Sequence, residues 1–384
     1  MPSLRIATIV GTRPELIKLS RVIAELDRQT EHVLIHTGQN WAAELSDVFF
    51  RDLEIRPPDR FLEAAGETPA ETIARVIERS DRALAEVEPD AVLLLGDTNS
   101  CLSALAAKRR RIPIFHMEAG NRCFDERVPE EINRRVVDHI SDINLTYTEH
   151  ARRYLLREGL EPDRVIKTGS PLREVLEHYR PGIEASGVLG RLGLESGRYF
   201  VVSAHREENV DAPARLRTLL STLAALTVKG LPVVFSTHPR TRRRLEGLPD
   251  FDGSIPGVRF VDPLGLLDYV HLQQNARCVV SDSGSLTEES SILSFPAVML
   301  RDVHERPEGM DVGAVVMAGL EPERVLRAVD LVLDHDERPR RSFRDVDDYA
   351  PSDVSRKVVR IITSYVDYVR ERVWREPVGA RPET

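Results

Sequence analysis

Short apolar runs alternate with helical patterns along almost the whole chain, and this alternation is the feature that most restricts the fold. In the first half the apolar runs are LRIATIV, HVLIHTG, AVLLLGD, PIFHME, INLTYT and RVIKTGS. Amphipathic segments such as PELIKLSRVIAELDR separate them. Strands that alternate with helices in this way predict a parallel sheet covered by helices on both faces.

A second series of the same kind follows, with the apolar runs YFVVSAH, LPVVFSTH, VRFVD, RCVVSDS and PAVML. A chain of 384 residues exceeds the size at which one hydrophobic core stops growing. We therefore expect two doubly wound Rossmann-like domains of α/β class that face a central cleft. The segment 180–198 is polar and predicts a loop, and the domain hinge is expected close by, near residues 170 to 185. The first domain is predicted at 1–175, joined by a returning C-terminal helix at about 364–384, and the second at 176–363.

Composition excludes several classes of partner. The net charge of -9, from 62 acidic and 53 basic residues, provides no long-range attraction to nucleic acid or to an anionic membrane. Cys101, Cys123 and Cys278 form no CxxC pair, so neither a disulfide framework nor a metal site is expected, and a reducing cytoplasm is the expected location. Cys123 is expected to be a packed residue. The opening apolar run predicts a buried strand, and no run has the length of a membrane span.

Three acidic positions stand at the ends of predicted strands or at the start of a helix. Asp97 ends AVLLLGD, Glu118 follows PIFHM, and Glu130 opens the helix of VPEEINRR. The carboxyl ends of parallel strands line one crevice, so these side chains can meet there. Taken singly, each acid is better explained as a helix cap or a solvated residue. As a group they predict proton transfer, because burial and like charges separate carboxyl pKa values into an acid and a base.

The segment GTRPELIK follows the first strand and predicts an anion site. Gly11 permits a tight turn, and Arg13 and Lys18 put two cations near a helix N-terminus, whose free amides favour anions. The segment has neither a Walker nor a GxGxxG pattern. An ordinary turn with two solvated basic residues is the alternative interpretation.

The segment SDSGSLTEESSIL predicts a second anion site in the second domain. Ser283, Gly284 and Ser285 offer amides and hydroxyls at a helix start, and Glu289 could accept both hydroxyls of a ribose. A simple serine cap is the alternative. His205 ends a predicted strand without any metal-binding spacing, so we expect it to form hydrogen bonds or contact phosphate.

These motifs together resemble the non-hydrolysing UDP-N-acetylglucosamine 2-epimerases, enzymes of the GT-B fold, over nearly the whole chain. The matching segments, in order, are GTRPELIK, HTGQN, GDTNS, EAGNR, PEEINR, AHREEN, DSGSLTEE and RD..ERPE. The resemblance implies an isomerase that removes the C2 proton of a UDP-sugar while UDP leaves C1, giving a 2-acetamidoglycal. UDP then re-adds and a proton returns to the opposite face. No cofactor is implied, and a homodimer is expected.

The resemblance also implies roles for individual residues. The implied catalytic residues are Asp97, Glu118, Glu130, His205 and Lys18. The implied UDP-binding residues are Arg13, His205, Tyr269, Ser283, Gly284, Ser285 and Glu289. Tyr269 falls where the family has an aromatic residue whose backbone meets uracil.

Several positions depart from the common members of the family. Ser285 replaces the last glycine of DSGG, HREE replaces HRRE, and His304 stands near the position of a threonine. These departures favour the branch that forms UDP-N-acetyl-L-fucosamine from UDP-2-acetamido-2,6-dideoxy-L-talose. Trp41 stands where many relatives have a basic or polar residue, which argues against allosteric activation by UDP-N-acetylglucosamine.

Three other functions share the fold and the nucleotide. They are a UDP-dependent GT-B glycosyltransferase, a hydrolysing 2-epimerase and a non-catalytic nucleotide-sugar binding protein. Asp97, Glu118 and Glu130 argue against the glycosyltransferase and the binding protein, because neither function needs two proton transfers.

Overall fold

A computed structural model describes residues 3–39, 50, 52–336 and 344–376. The chain forms two compact units. Unit 1 comprises Met1–Glu177 and Asp348–Thr384, and unit 2 comprises His178–Asp347. Trp41 and most of the segment AELSDVFFRDL, which was expected to be helical, lie outside the described residues.

Unit 1 is built on a seven-stranded parallel sheet with the strand order β3-β2-β1-β4-β5-β6-β7. Its strands are β1 (Arg5–Val10), β2 (Glu31–His36), β3 (Arg60–Phe61), β4 (Ala91–Leu95), β5 (Ile114–Met117), β6 (Ile143–Thr146) and β7 (Val165–Lys167). Every residue of β4 and β5 is buried, as expected for strands covered on both faces. The edge strand β3 is too short to carry an apolar pattern, and the sequence did not predict it.

The helices of unit 1 follow the strands. They are α1 (Arg13–Gln29), α2 (Pro69–Val87), α3 (Ala104–Arg109), α4 (Pro129–Ile140), α5 (Glu149–Arg157) and α6 (Leu172–His178). A proline in the first turn of α1, α2 and α4 supplies a backbone angle that suits a helix start, where no amide partner is needed. The first turns of α1 and α4 also carry acids, Glu15 in α1 and Glu130 and Glu131 in α4.

Unit 2 contains a six-stranded parallel sheet with the strand order β10-β9-β8-β11-β12-β13. Its strands are β8 (Phe200–Ser203), β9 (Val233–Ser236), β10 (Val258–Val261), β11 (Cys278–Ser281), β12 (Ala297–Met299) and β13 (Val316–Met317). Phe200 and Val202 belong to one hydrophobic cluster, whereas Tyr199 and Val201 belong to another. Alternate residues thus pack on opposite faces, and both faces of the sheet are covered.

Nine helices of unit 2 surround this sheet within the described residues. They are α7 (Arg180–Glu184), α8 (Val188–Leu192), α9 (Glu207–Val210), α10 (Pro213–Thr227), α11 (Pro239–Glu246), α12 (Leu266–Gln274), α13 (Leu286–Leu293), α14 (Pro307–Asp311) and α15 (Pro322–Asp334). The segment 180–198 was expected to be a loop, but α7 and α8 lie within it. These helices are too short for a periodic apolar pattern to reveal.

The chain returns to unit 1 earlier than predicted. Helix α16 (Val354–Tyr368) packs against α1, and residues from Asp348 onward belong to unit 1. The prediction of 176–363 for the second domain and 364–384 for the returning helix was therefore wrong at this boundary. Helix α16 joins unit 1 because it has an apolar stripe that must pack against a partner. The buried residues of this stripe, among them Val358 and Ile362, recur every four positions. Residues 377–384 lie outside the described part.

Candidate active site

In both sheets the strand order reverses beside the first strand, at β1 and β4 in unit 1 and at β8 and β11 in unit 2. Ligands of doubly wound folds bind at the carboxyl ends of the strands near such a reversal. In unit 1, Leu95 of β4 pairs with Met117 of β5, and the amide of Gly96 donates to the Met117 carbonyl at 2.9 Å. Asp97 and Glu118 therefore leave the sheet from the ends of adjacent strands.

Glu118 forms an ion pair with Lys18 of α1. The Lys18 ammonium donates to the two carboxylate oxygens at 2.9 and 2.8 Å, and their side chains are 10% and 12% exposed. The ring centroid of Tyr147 lies 5.4 Å from the Lys18 nitrogen. This ammonium favours the ionised form of Glu118. Lys18 is thus not the solvated cation of the alternative interpretation, because it is buried and its charge is directed at a carboxylate.

Asp97 is held by an arginine that the sequence did not single out. Arg134 of α4 donates to one Asp97 oxygen from two nitrogens, at 2.9 and 2.6 Å. The cap of the short 3-10 turn that follows is Thr98, whose hydroxyl accepts the Ser100 amide at 3.2 Å. Asp97 therefore does not cap that turn. The signal that could have found Arg134 is its place one helical turn beyond the acids of PEEINR.

The two acids in the first turn of α4 differ in their surroundings. Glu131 is fully buried and accepts bonds from the Cys123 amide at 3.1 Å, Arg134 at 3.1 Å and Arg135 at 3.2 Å. Burial disfavours its charge, but these donors outweigh burial and lower its pKa. Glu130 is half-buried. Glu131 thus anchors the helix start, and Glu130 stays the predicted catalytic acid of this pair.

The thiol of Cys123 is protonated at neutral pH. Burial, the largest cause, raises its pKa to about 11. Only a thiolate is an effective nucleophile. Cys123 is therefore a packed residue, as the sequence predicted.

The turn between β1 and α1 is organised by a buried acid, Glu15, which is 2% exposed. One of its oxygens accepts the amides of Gly11 at 2.5 Å and Thr12 at 2.9 Å, and the other accepts the Thr98 hydroxyl. Burial raises the pKa of Glu15 to about 7. Arg13, the expected phosphate ligand, begins α1 and is half-buried, which lowers its pKa. The T-x-x-E spacing of a capping box was the missed signal for Glu15.

In unit 2 a buried aspartate shapes the turn after β8. Asp282 accepts the amides of His205 at 3.1 and 3.0 Å and of Arg206 at 3.0 Å, and the Asn209 side chain at 3.1 Å. The Nδ1 atom of His205 lies 3.4 Å from Asp282, and its ring centroid lies 5.2 Å from that of His238. Burial outweighs the Asp282 charge and lowers the pKa of His205. His205 is therefore mainly neutral at pH 7.

The loop after β11 is tied together by hydroxyl groups. The hydroxyls of Ser283 and Ser285 lie 2.9 Å apart, and Ser285 donates to Glu289 at 2.8 Å. The other oxygen of Glu289 accepts the Gln273 amide at 2.7 Å. Gly284 lies between the serines, and an added Cβ atom would meet an oxygen of Glu305 at 3.3 Å. The loop is a preformed turn at the start of α13.

Tyr269 lies within α12 and packs against a hydrophobic cluster of unit 2. Its amide donates to the Gly265 carbonyl at 2.9 Å, so that group is engaged within the helix. Burial raises the pKa of its phenol.

Within the described ranges no three His, Cys, Asp or Glu side chains come together as a metal-binding group. Within the same ranges no helix is long and apolar enough to cross a membrane.

Two doubly wound units, with acids and cations gathered at the carboxyl ends of their strands, define an α/β enzyme of the GT-B-like class. A family model described as UDP-N-acetylglucosamine 2-epimerase matches residues 24–363. The chain belongs to this family of isomerases, and the resemblance drawn from its motifs is confirmed.

Individual relatives agree over nearly the full chain. A UDP-N-acetylglucosamine 2-epimerase from Rickettsia bellii superposes with a TM-score of 0.91 at 51% identity, covering 97% of this chain and 100% of that one. The Methanocaldococcus jannaschii enzyme, solved with UDP-GlcNAc and UDP, has a TM-score of 0.88 at 32% identity and covers 94% and 100%. A UDP-2,3-diacetamido-2,3-dideoxy-D-glucuronate 2-epimerase from Pseudomonas aeruginosa is 35% identical, covering 85% and 91%.

Proposed function

We propose that this enzyme inverts C2 of a UDP-N-acetylhexosamine by eliminating UDP and adding it back. The observation that carries the proposal is the pair of carboxylates, Asp97 and Glu118, at the ends of adjacent strands, each held by its own buried cation. In elimination, a carboxylate takes the C2 proton while the C1–oxygen bond breaks and UDP leaves with the electron pair. In the return step UDP attacks C1 and a second acid delivers a proton to the opposite face of C2.

The surroundings of the acids suit two proton transfers. Lys18 and Arg134 stabilise the ionised forms of Glu118 and Asp97, so both can act as bases. Glu130, in the first turn of α4, is proposed as the third acid. The three groups differ in partner and exposure, which is how one site separates an acid from a base.

The departing diphosphate requires its own stabilisation, because the C2 proton is barely acidic and a base alone is insufficient. In unit 2 we assign this role to His205 and to the loop of Ser283, Gly284 and Ser285 at the start of α13, with Glu289 bound to the ribose and Tyr269 beside the uracil. In unit 1 we assign it to Arg13 at the start of α1. Helix starts suit anions, because the helix dipole places partial positive charge at the N-terminus.

For the substrate, we propose UDP-2-acetamido-2,6-dideoxy-L-talose, which gives UDP-N-acetyl-L-fucosamine. The support is Ser285, which replaces a glycine and adds a hydroxyl that bonds to Glu289, together with His304. The His304 ring accepts the Arg306 amide at 3.2 Å and is partly buried, which lowers its pKa. The names of the relatives supply two further candidates, UDP-N-acetylglucosamine and the diacetamido-glucuronate.

Product analysis in D2O tests the reaction and the substrate together. Each of the three UDP-sugars is incubated with the enzyme, and products are followed by NMR. Epimerisation through elimination places deuterium at C2, whereas a glycosyltransferase leaves C2 protiated and a hydrolysing enzyme accumulates free sugar. A binding protein yields no product. Absence of C2 deuterium in every product would overturn the mechanism, and a higher kcat/KM for either other sugar would overturn the substrate proposal.

We also propose that the enzyme is a homodimer in the reducing cytoplasm. The supporting surface in unit 1 consists of Ile132 and Val136, one turn apart on α4, and Leu105 on the adjacent α3, which are 57%, 36% and 37% exposed. Cys101, Cys123 and Cys278, all within the described residues, are buried and form no disulfide, which suits a reducing compartment. Light scattering of the purified protein tests the dimer, and Ile132→Glu is expected to produce monomers.

A further inference from the structure

Near the ends of β4 and β5 lies a buried ion cluster that has no role in the chemistry above. It consists of His116, Arg122 and Asp138, which are 0%, 1% and 0% exposed. Arg122 donates to Asp138 at 2.6 Å and to Glu158 at 2.8 and 2.6 Å. Burying charge is costly, so a cluster of this kind calls for a function that an apolar core would not serve.

The cluster is bonded to the backbone beside both carboxylates. His116 Nε2 donates to the Gly96 carbonyl at 2.6 Å, and Gly96 directly precedes Asp97. The two oxygens of Asp138 accept the Gly120 amide at 3.2 and 3.1 Å, two residues beyond Glu118. His116 and Asp138 contact each other as an ion pair, with 3.0 Å between His116 Nδ1 and Asp138 Oδ1. One continuous chain of contacts therefore runs from the Asp97 loop to the Glu118 loop.

The backbone at these points needs to be held. Gly96 and Gly120 have φ angles of 74° and 83°, and Glu118 itself has a φ of 61°. A residue with a side chain adopts this left-handed conformation only at a cost in free energy. The Gly120 bond to Asp138 lies close enough to Glu118 to maintain that conformation.

The surroundings of His116 and Asp138 favour the charged form of each residue. His116 Nε2 contacts a carbonyl and Nδ1 lies 3.0 Å from the Asp138 carboxylate, and these negative surroundings favour the doubly protonated ring. Burial opposes this charge, but Asp138, the Gly96 carbonyl and the negative charge of Asp97 together raise the pKa of His116. Burial likewise opposes the charge of Asp138, but His116 and Arg122 outweigh it and lower its pKa.

We infer that His116 and Asp138 are positioning residues that set the geometry of Asp97 and Glu118 through the backbone of their loops. The inference rests on the proposed function, because it assumes that those two carboxylates transfer the protons. A displacement of about 1 Å at a reacting group can cost on the order of a hundredfold in rate. The ion pair thus acts on catalysis without contacting the substrate.

The chain provides a matched control. Asp142 is also fully buried, pairs with Lys108 at 2.6 Å and accepts the Ile114 amide at 3.0 Å. It resembles Asp138 in burial, cationic partner and backbone bond, yet it is bonded to the start of β5, away from both loops. Asp138→Asn and Asp142→Asn therefore remove comparable charges, and only the first should alter the carboxylates.

The test measures kcat, KM and thermal midpoint for Asp138→Asn, Asp142→Asn, His116→Gln and the double variant of His116 and Asp138. We expect kcat of Asp138→Asn to fall about tenfold or more with KM nearly unchanged, and kcat of Asp142→Asn to stay within about threefold of wild type. The double variant should lose about the same factor as the worse single variant, because the two residues act as one unit.

A kcat for Asp138→Asn equal to that of Asp142→Asn would overturn the inference, and so would independent losses that multiply in the double variant. If Asp138→Asn does not fold, the test rests on His116→Gln. A fall in its kcat of about tenfold or more at unchanged KM would support the inference, and a normal kcat would overturn it. Failure of the proposed function looks different: Asp97→Asn and Glu118→Gln would then retain normal turnover. If Asp97→Asn and Glu118→Gln are inactive while the His116 and Asp138 variants keep a normal kcat, only the positioning inference is overturned.

Discussion

Glu15 offers a direct test of how burial controls charge in unit 1. The substitution Glu15→Gln keeps an oxygen that can accept the Gly11 and Thr12 amides, and it removes the titration. In the native protein, burial raises the pKa of Glu15 from 4.5 to about 7. The folded state therefore holds its proton to a higher pH than the unfolded chain does.

The sign and size follow from linkage. A raised carboxyl pKa contributes stability below pH 4.5, and that contribution is lost as the pH rises to about 7. Each pKa unit corresponds to about 1.4 kcal/mol, so the loss amounts to about 3 kcal/mol. The glutamine variant does not suffer this loss. Its free energy of unfolding, relative to that of wild type, should therefore increase by about 3 kcal/mol between about pH 4 and pH 8, so the variant gains relative stability.

Denaturant unfolding followed by tryptophan fluorescence measures this difference. Trp374 belongs to unit 1, so its fluorescence reports the unit that contains Glu15. Glu131→Gln is the control, because the lowered pKa of Glu131 has the opposite sign. Its stabilising contribution exists above the ordinary carboxyl pKa and is lost as the pH falls, so this variant should be least stable, relative to wild type, at neutral pH. A pH-independent difference between Glu15→Gln and wild type would refute the reasoning.

Three further predictions follow from the same contacts. Asp97→Asn and Glu118→Gln should each lower kcat by about a hundredfold or more while UDP binding, measured by calorimetry, persists; normal turnover in either folded variant would contradict their proposed roles. Gly11→Ala should destabilise unit 1 by about 1–3 kcal/mol in the same unfolding assay, because the added Cβ atom would lie 1.9 Å from the Ser100 hydroxyl. Ser285→Gly should shift the ratio of kcat/KM toward UDP-N-acetylglucosamine, and an unchanged ratio would exclude Ser285 from substrate choice.

Local patterns in the sequence were sufficient for the architecture. The runs AVLLLGD and PIFHME became β4 and β5, because continuous apolar residues between polar turns have few other stable arrangements in a chain of this length. The position of Asp97 and Glu118 at strand ends followed from the same patterns, since strands leave the core where the apolar residues stop. The order and spacing of the motifs were also sufficient to identify the family.

The partners of those acids depended on the tertiary structure. Lys18 and Glu118 are 100 residues apart, and Arg134 and Asp97 are 37 apart. Such pairs form only after the strand order brings β1, β4 and β5 together, and no local periodicity encodes that order. The same holds for the protonation of Glu15, whose raised pKa comes from burial by elements distant in sequence. Sequence alone therefore located the acids, whereas the packing of the sheet decided which cation each acid binds and which acid holds its proton.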